Sequence, residues 1–237
     1  TPPATASSSP PPPTARFIVT VTQVKPDMLD EWMDLQKNEV VPALKKAGIP
    51  SRTVSRTVFG NTYEYLSISP LESYGVLDGP GLFTRALGPE AGARLAAKLR
   101  KCITAQRTYI STRQNELSIP PDSNPAPAVA VTFRRRIAPG KGQEYRNYIK
   151  SELLPVYKKA KAEGKIAGYT VSTRGLGGTV GDMTTTTFYS KFADLDPGTV
   201  LTRMLGEEAA QKVTAKATGL STVVETVARR RVADLSY

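Results

Sequence analysis

The sequence predicts an α+β fold: two tandem ferredoxin-like βαββαβ repeats whose antiparallel sheets pack face to face as one intramolecular barrel. Three observations lead there. Glu39-Val-Val-Pro42-Ala-Leu-Lys45-Lys46-Ala47 returns as Glu152-Leu-Leu-Pro155-Val-Tyr-Lys158-Lys159-Ala160, and Thr84-Arg85-Ala-Leu87-Gly88 returns as Thr202-Arg203-Met-Leu205-Gly206. The offset grows only from 113 to 118 residues, so the copies share one order of elements with small loop insertions. Strand residues such as Val54, Tyr63, Tyr65 and Tyr109 put apolar or aromatic groups on both sheet faces, so the face away from the helices needs a cover. The other copy can supply it.

The elements follow in order. Phe17–Val24 is a β-branched run stopped by Lys25-Pro26, hence a strand. Asp27 offers an N-cap, and Asp30 and Glu31 suit the first turn of a helix carrying Leu29, Trp32, Met33, Val40, Leu44 and Ala47 at helical spacing, closed by Gly48. Pro42 should kink or split this helix, and Pro155 recurs at the same place. Arg52–Phe59 and Thr62–Ile68 are strands around a Gly60-Asn61 turn. A Pro- and Gly-rich loop over 70–81 leads to a short helix ending near Leu87-Gly88, a helix over Pro89–Ile103 and a strand over Gln106–Arg113. The second copy repeats the set at Ala128–Ile137, Lys141–Glu163, Ile166–Leu176, Thr184–Phe192, Glu207–Thr218 and Ser221–Val232. Residues 1–15 read as a disordered Pro/Ser-rich tether, 16–118 and 129–237 as the repeats, and 119–128 as a Pro-rich linker.

Composition excludes more than it names. The chain has no histidine, and Cys102 is its single cysteine. Histidine-based triads, the usual zinc and copper sites and any intramolecular disulfide are therefore outside its chemistry. Acid–base work near neutrality would fall to a shifted carboxylate, Lys or Tyr. The net charge of +11 favours solubility and attraction to anionic surfaces without naming a partner. No apolar run reaches 18 residues, so no transmembrane helix is expected. The Pro/Ser-rich start, without an initiator Met, gives the expectation of a periplasmic or secreted protein.

The element order, the duplication and the long first helix with Glu39 and Pro42, or Glu152 and Pro155, resemble the dimeric α+β barrel superfamily over residues 16–118 and 129–236. Its groups include antibiotic-biosynthesis monooxygenase-like, stress-responsive barrel and NIPSNAP proteins. The resemblance implies sheet pairing within one chain and a function among small-ligand binding, cofactor-free oxygenation and haem handling. The haem branch generally uses a histidine ligand, which this chain lacks, so no cofactor is expected. Further homo-oligomerisation stays open.

Candidate ligand contacts are strand residues facing a cavity, either between a sheet and its helices or between the facing sheets. Tyr63 and Tyr65 alternate onto one face, and Tyr189 falls near Tyr65 at an offset of 124, with the register open by one residue. Their phenols either position a phenolic or carbonyl ligand or simply pack. Arg56 and Arg174, on second strands, would draw a carboxylate or enolate. Arg107 and Glu225 occupy equivalent places and either pair across the join or stay exposed. Glu39 and Glu152 precede the kink, as general bases or as acceptors for a freed N–H. The Gly175–Asp182 stretch fails both usual phosphate-loop patterns and reads as an enlarged hairpin loop. Arg134–Arg136 and Arg229–Arg231 form basic triplets without interleaved aromatics, so a basic rim is expected and nucleic acid is not. Three functions follow: small-ligand binding in a barrel cavity, cofactor-independent oxygenation or isomerisation of a phenolic or enolisable substrate, and a basic module for an acidic partner or anionic envelope surface.

Overall fold

The structure, a computed structural model, describes residues 14–122 and 124–237. The expected tether lies outside the described residues except for Thr14 and Ala15, which begin the first strand. The first copy contains β1 (Thr14–Val24), α1 (Leu29–Leu35), α2 (Val41–Lys46), β2 (Thr53–Thr57), β3 (Glu64–Pro70), α3 (Leu82–Leu87), α4 (Pro89–Lys101) and β4 (Ile103–Gln114). The second contains β5 (Val129–Ile137), α5 (Gly142–Tyr148), α6 (Leu154–Ala162), β6 (Gly168–Arg174), β7 (Asp182–Tyr189), α7 (Val200–Leu205), α8 (Glu207–Leu220) and β8 (Ser221–Arg231). The strands close a barrel in the order β1-β3-β2-β8-β5-β7-β6-β4. Each copy supplies a ferredoxin-like sheet, β4-β1-β3-β2 or β8-β5-β7-β6. The sheets do more than face each other. They join at their edges, Ser55–Thr57 with Arg231–Arg229 and Ser111–Arg113 with Arg174–Ser172.

The glycine-rich loop helps seal one join. Gly175 N–H donates to the Ile110 carbonyl at 2.7 Å and Ile110 N–H to the Leu176 carbonyl at 2.8 Å, extending the pairing with β4 beyond β6. Gly177 has φ +77°, and a Cβ there would lie 2.5 Å from the Thr108 carbonyl oxygen. Only glycine fits that approach.

Both prolines are accommodated by a π turn. Gln36–Val40 and Ile149–Leu153 bond at the wider spacing, Val41 N–H to the Gln36 carbonyl and Leu154 N–H to the Ile149 carbonyl, just before Pro42 and Pro155. The helix thus passes a residue with no N–H without breaking. Glu39 and Glu152 do not take up freed backbone N–H groups. They receive Lys98 Nζ at 2.8 Å and Lys216 Nζ at 2.7 Å, a duplicated ion pair that ties the first helical segment of each copy to its long second helix.

The repeated tails, Arg113–Ser118 and Arg231–Ser236 with the residue after each, also link the copies. Leu117 is buried in the second copy's core, and Leu235 in the first copy's core. Ser118 Oγ accepts Val171 N–H, and Ser236 Oγ accepts Val54 N–H, both at 2.9 Å. Ile119 exchanges both backbone hydrogen bonds with Tyr169, and Tyr237 does the same with Arg52. Each copy therefore plugs the other.

Buried strand residues that pack with the helices, such as Val24, Val54 and Tyr65, define the outer face of the barrel, because its bore cannot admit a helix. The alternate residues point inward, and the charged ones among them include several ion pairs. Asp182 receives Arg134 Nη1 at 2.8 Å and Arg136 Nε at 2.6 Å, while Arg134 Nε also reaches Glu225 at 2.9 Å. Arg229 Nη2 reaches Glu64 at 2.7 Å, and Thr57 Oγ1 donates to the same oxygen. Burial alone would push the Asp182 carboxyl up, but the guanidiniums of Arg136 and Arg134 outweigh it and hold it below its ordinary value. The basic rim expected from the triplets is corrected here. Arg134, Arg136 and Arg229 are spent on internal carboxylates.

Candidate functional site

The first copy keeps an open cavity of about 590 Å³ between its sheet and its helices. Trp32, Val40, Leu44, Tyr65, Leu82 and Leu99 give it an apolar wall. Trp32 and Tyr65 pack with ring centroids 4.5 Å apart. Polar atoms come from β1 and β3 through Thr20, Thr22, Ser67 and Ser69, and from Gln36 on the π turn. Arg52, just before β2, also lines it and is 7% exposed. Its Nη2 donates to Gln36 Oε1 at 2.8 Å, its Nη1 has no hydrogen-bond partner, and the neighbouring Tyr237 hydroxyl has none either. Burial lowers the Arg52 pKa to about 10, with Tyr237 opposing the shift.

The second copy has filled the same space. Strand pairing fixes the equivalences: Thr22 pairs with Tyr65, and Arg135, 113 residues after Thr22, pairs with Met183. Met183 is thus the counterpart of Tyr65, and Tyr189 answers to Leu71, which corrects the 124-residue offset. Larger groups stand at several lining positions: Tyr157 for Leu44, Tyr169 for Arg52, and Tyr189 for Leu71. Tyr157 and Tyr169 stack at 4.0 Å. Tyrosine rings occupy the volume that the first copy leaves empty.

The structure separates the sequence-predicted residues. Tyr65 alone lines the cavity; burial raises its pKa, opposed by neighbouring Arg56. Arg56 shares that outer face through its pairing with Tyr65 but is exposed and outside the lining. Tyr63 is exposed just before β3, and Tyr189 belongs to the second copy's core. Arg174 and Arg107 both lie over the Tyr109 ring, at 4.5 and 5.7 Å from its centroid, on the inner face. Glu225 is there too, but it pairs with Arg134 and not with Arg107. Arg52 was missed because it opens a strand, without a motif. Its one signal was the replacement by Tyr169 at the aligned position.

Alkali provides a test of the tyrosine-filled half. Desolvation raises the phenols of Tyr145, Tyr148, Tyr169 and Tyr189, and lifts Tyr157 to about 12 from 10.0. Folded pKa values above the unfolded ones give a stabilisation that is whole below pH 10 and lost as the pH rises through about 12. Hydrogen exchange across this window should show the second copy opening before the first, with tyrosinate absorbance rising in step. Early ionisation of these phenols in the native state would contradict the packing.

A comparison against protein-family models finds no match, and no curated protein matches the chain. Solved structures do match. An anthrone oxidase-like protein aligns with a TM-score of 0.63 at 11% identity, covering 92% of this chain and 91% of its own. A candidate monooxygenase from Lactobacillus acidophilus aligns at 0.60 with 9% identity, covering 94% and 95%. A heme-binding protein from Thermus thermophilus aligns at 0.52 with 10% identity, covering 93% and 92%. The chain has the dimeric α+β barrel architecture, complete within one polypeptide. The residues present do not fit haem: the chain has no histidine, Cys102 is buried outside the cavity lining, and burial raises the pKa of the lining phenol of Tyr65, away from the phenolate that would ligate iron.

Proposed function

We propose that this protein binds a small organic molecule in the cavity of its first copy. The observation that carries the reading is the asymmetry of the duplication: one copy has filled this space with tyrosine rings, while the other keeps it open, lined with apolar groups and a few polar atoms. Native mass spectrometry of protein purified from its source should reveal a retained ligand. Independently, the neutral fluorophore N-phenyl-1-naphthylamine should bind at one saturable site. Leu44→Tyr, which installs the second copy's own residue, should weaken that binding at least about tenfold with the fold intact. Equal binding by wild type and Leu44→Tyr would remove this cavity as the site.

A catalytic reading, cofactor-independent oxygenation of a phenolic or enolisable ligand, has Tyr65 in the cavity wall in its favour. Oxygen uptake with an enolisable aromatic ketone, abolished by Tyr65→Phe while fluorophore binding persists, would support it; no uptake by wild type would leave the binding protein.

A further inference from the structure

We infer that the ligand of the first copy carries an anionic head group that seats on Arg52 at the cavity wall. This rests on the ligand-binding reading and narrows it to a chemical class: an oxyanion such as a carboxylate, sulfonate or enolate on an apolar body. The other arginine as buried as Arg52, Arg229, has a carboxylate in Glu64. Arg52 does not. Among the described residues no acidic side chain lies within 4.0 Å of it; its recorded side-chain acceptor is the neutral Gln36 amide, and Nη1 is left over. An enclosed cation without a counter-ion is unfavourable, and a charge-assisted hydrogen bond donated to a bound oxyanion relieves it. The cation also survives only where the cavity does, since Tyr169 replaces it in the filled copy. Arg85 and Arg100 line the same cavity as exposed cations, against one exposed acid, Glu72, so the entrance too favours anions. In the same cavity, the wall of Trp32, Leu44 and Leu99 takes the apolar body.

The test uses two fluorophores on the full chain. 8-Anilinonaphthalene-1-sulfonate has the skeleton of N-phenyl-1-naphthylamine plus one sulfonate. Wild type should bind the sulfonate at least about tenfold more tightly, the size of one charge-assisted contact. Arg52→Met should bring the ratio of the two affinities to about one, with the neutral probe still bound. Arg52→Lys, which restores the charge, should recover part of the preference. Equal affinity of wild type for both probes, or a preference that survives Arg52→Met, overturns the inference while the cavity reading stands. Binding of neither probe overturns both. Should Arg52→Met unfold, the wild-type comparison and Arg52→Lys still decide.

Discussion

Truncating Leu117 to alanine should destabilise the protein by about 3 kcal/mol, and the damage should appear in the copy to which Leu117 does not belong. The side chain follows β4 in sequence but is 1% exposed within the core built on Tyr145, Ile149, Tyr169 and Val171. Its deletion leaves a cavity among rigid rings that cannot collapse to fill it. For a domain of this size the thermal midpoint should fall by roughly 6–12 °C. Hydrogen exchange should locate the lost protection in residues 129–231. Leu235→Ala should do the reverse, loosening the first copy around Trp32 and Leu95. Loss of protection within the mutated residue's own copy would contradict the exchange of tails. Neither copy has a complete core without the other.

Asp182→Ala should cost a similar amount, about 3 kcal/mol, for a different reason. The Asp182 side chain is fully buried and accepts from two guanidiniums, so its removal strands Arg136 and leaves Arg134 with Glu225 alone. Chemical denaturation at neutral pH should show this loss with an unchanged denaturant slope. The pH dependence has a definite sign. The folded pKa of Asp182 lies below its ordinary 3.8, so its contribution is whole above that value and fades as the pH falls below it. The gap between wild type and Asp182→Ala should therefore narrow in acid. A gap constant down to complete acid unfolding would mean that charge contributes nothing.

Much of this architecture is legible in the sequence because duplication writes each constraint twice. Pro42 and Pro155 mark the same helical defect, whereas the partners of Glu39 and Glu152, Lys98 and Lys216, lie far along the chain and emerge only from the packing of the helices. Leu117-Ser118 and Leu235-Ser236 were visible as a repeat, but repetition alone does not say that the tails cross over. The edge joins are equally silent, since three residue pairs each, between Ser55–Thr57 and Arg229–Arg231 or between Ser111–Arg113 and Ser172–Arg174, carry no pattern. Face assignment was the weak point. Tyr65 and Arg107 both lie on strands with polar and apolar residues on each side, and only packed helices decide that the first points outward and the second inward. The cavity left its trace in the differences between the copies, Leu44 against Tyr157, Arg52 against Tyr169 and Leu71 against Tyr189. Each exchanges a residue for a tyrosine at one core position, and together they distinguish a filled half from an open one.

The most direct test of that distinction is a crystal structure of the full chain soaked with N-phenyl-1-naphthylamine. Density for the ring system should appear once, between the β1-β3-β2 sheet and the helices of residues 29–101, beside Trp32 and Tyr65. Density in the barrel bore, or at the equivalent place among Tyr145, Tyr157 and Tyr169, would contradict the account.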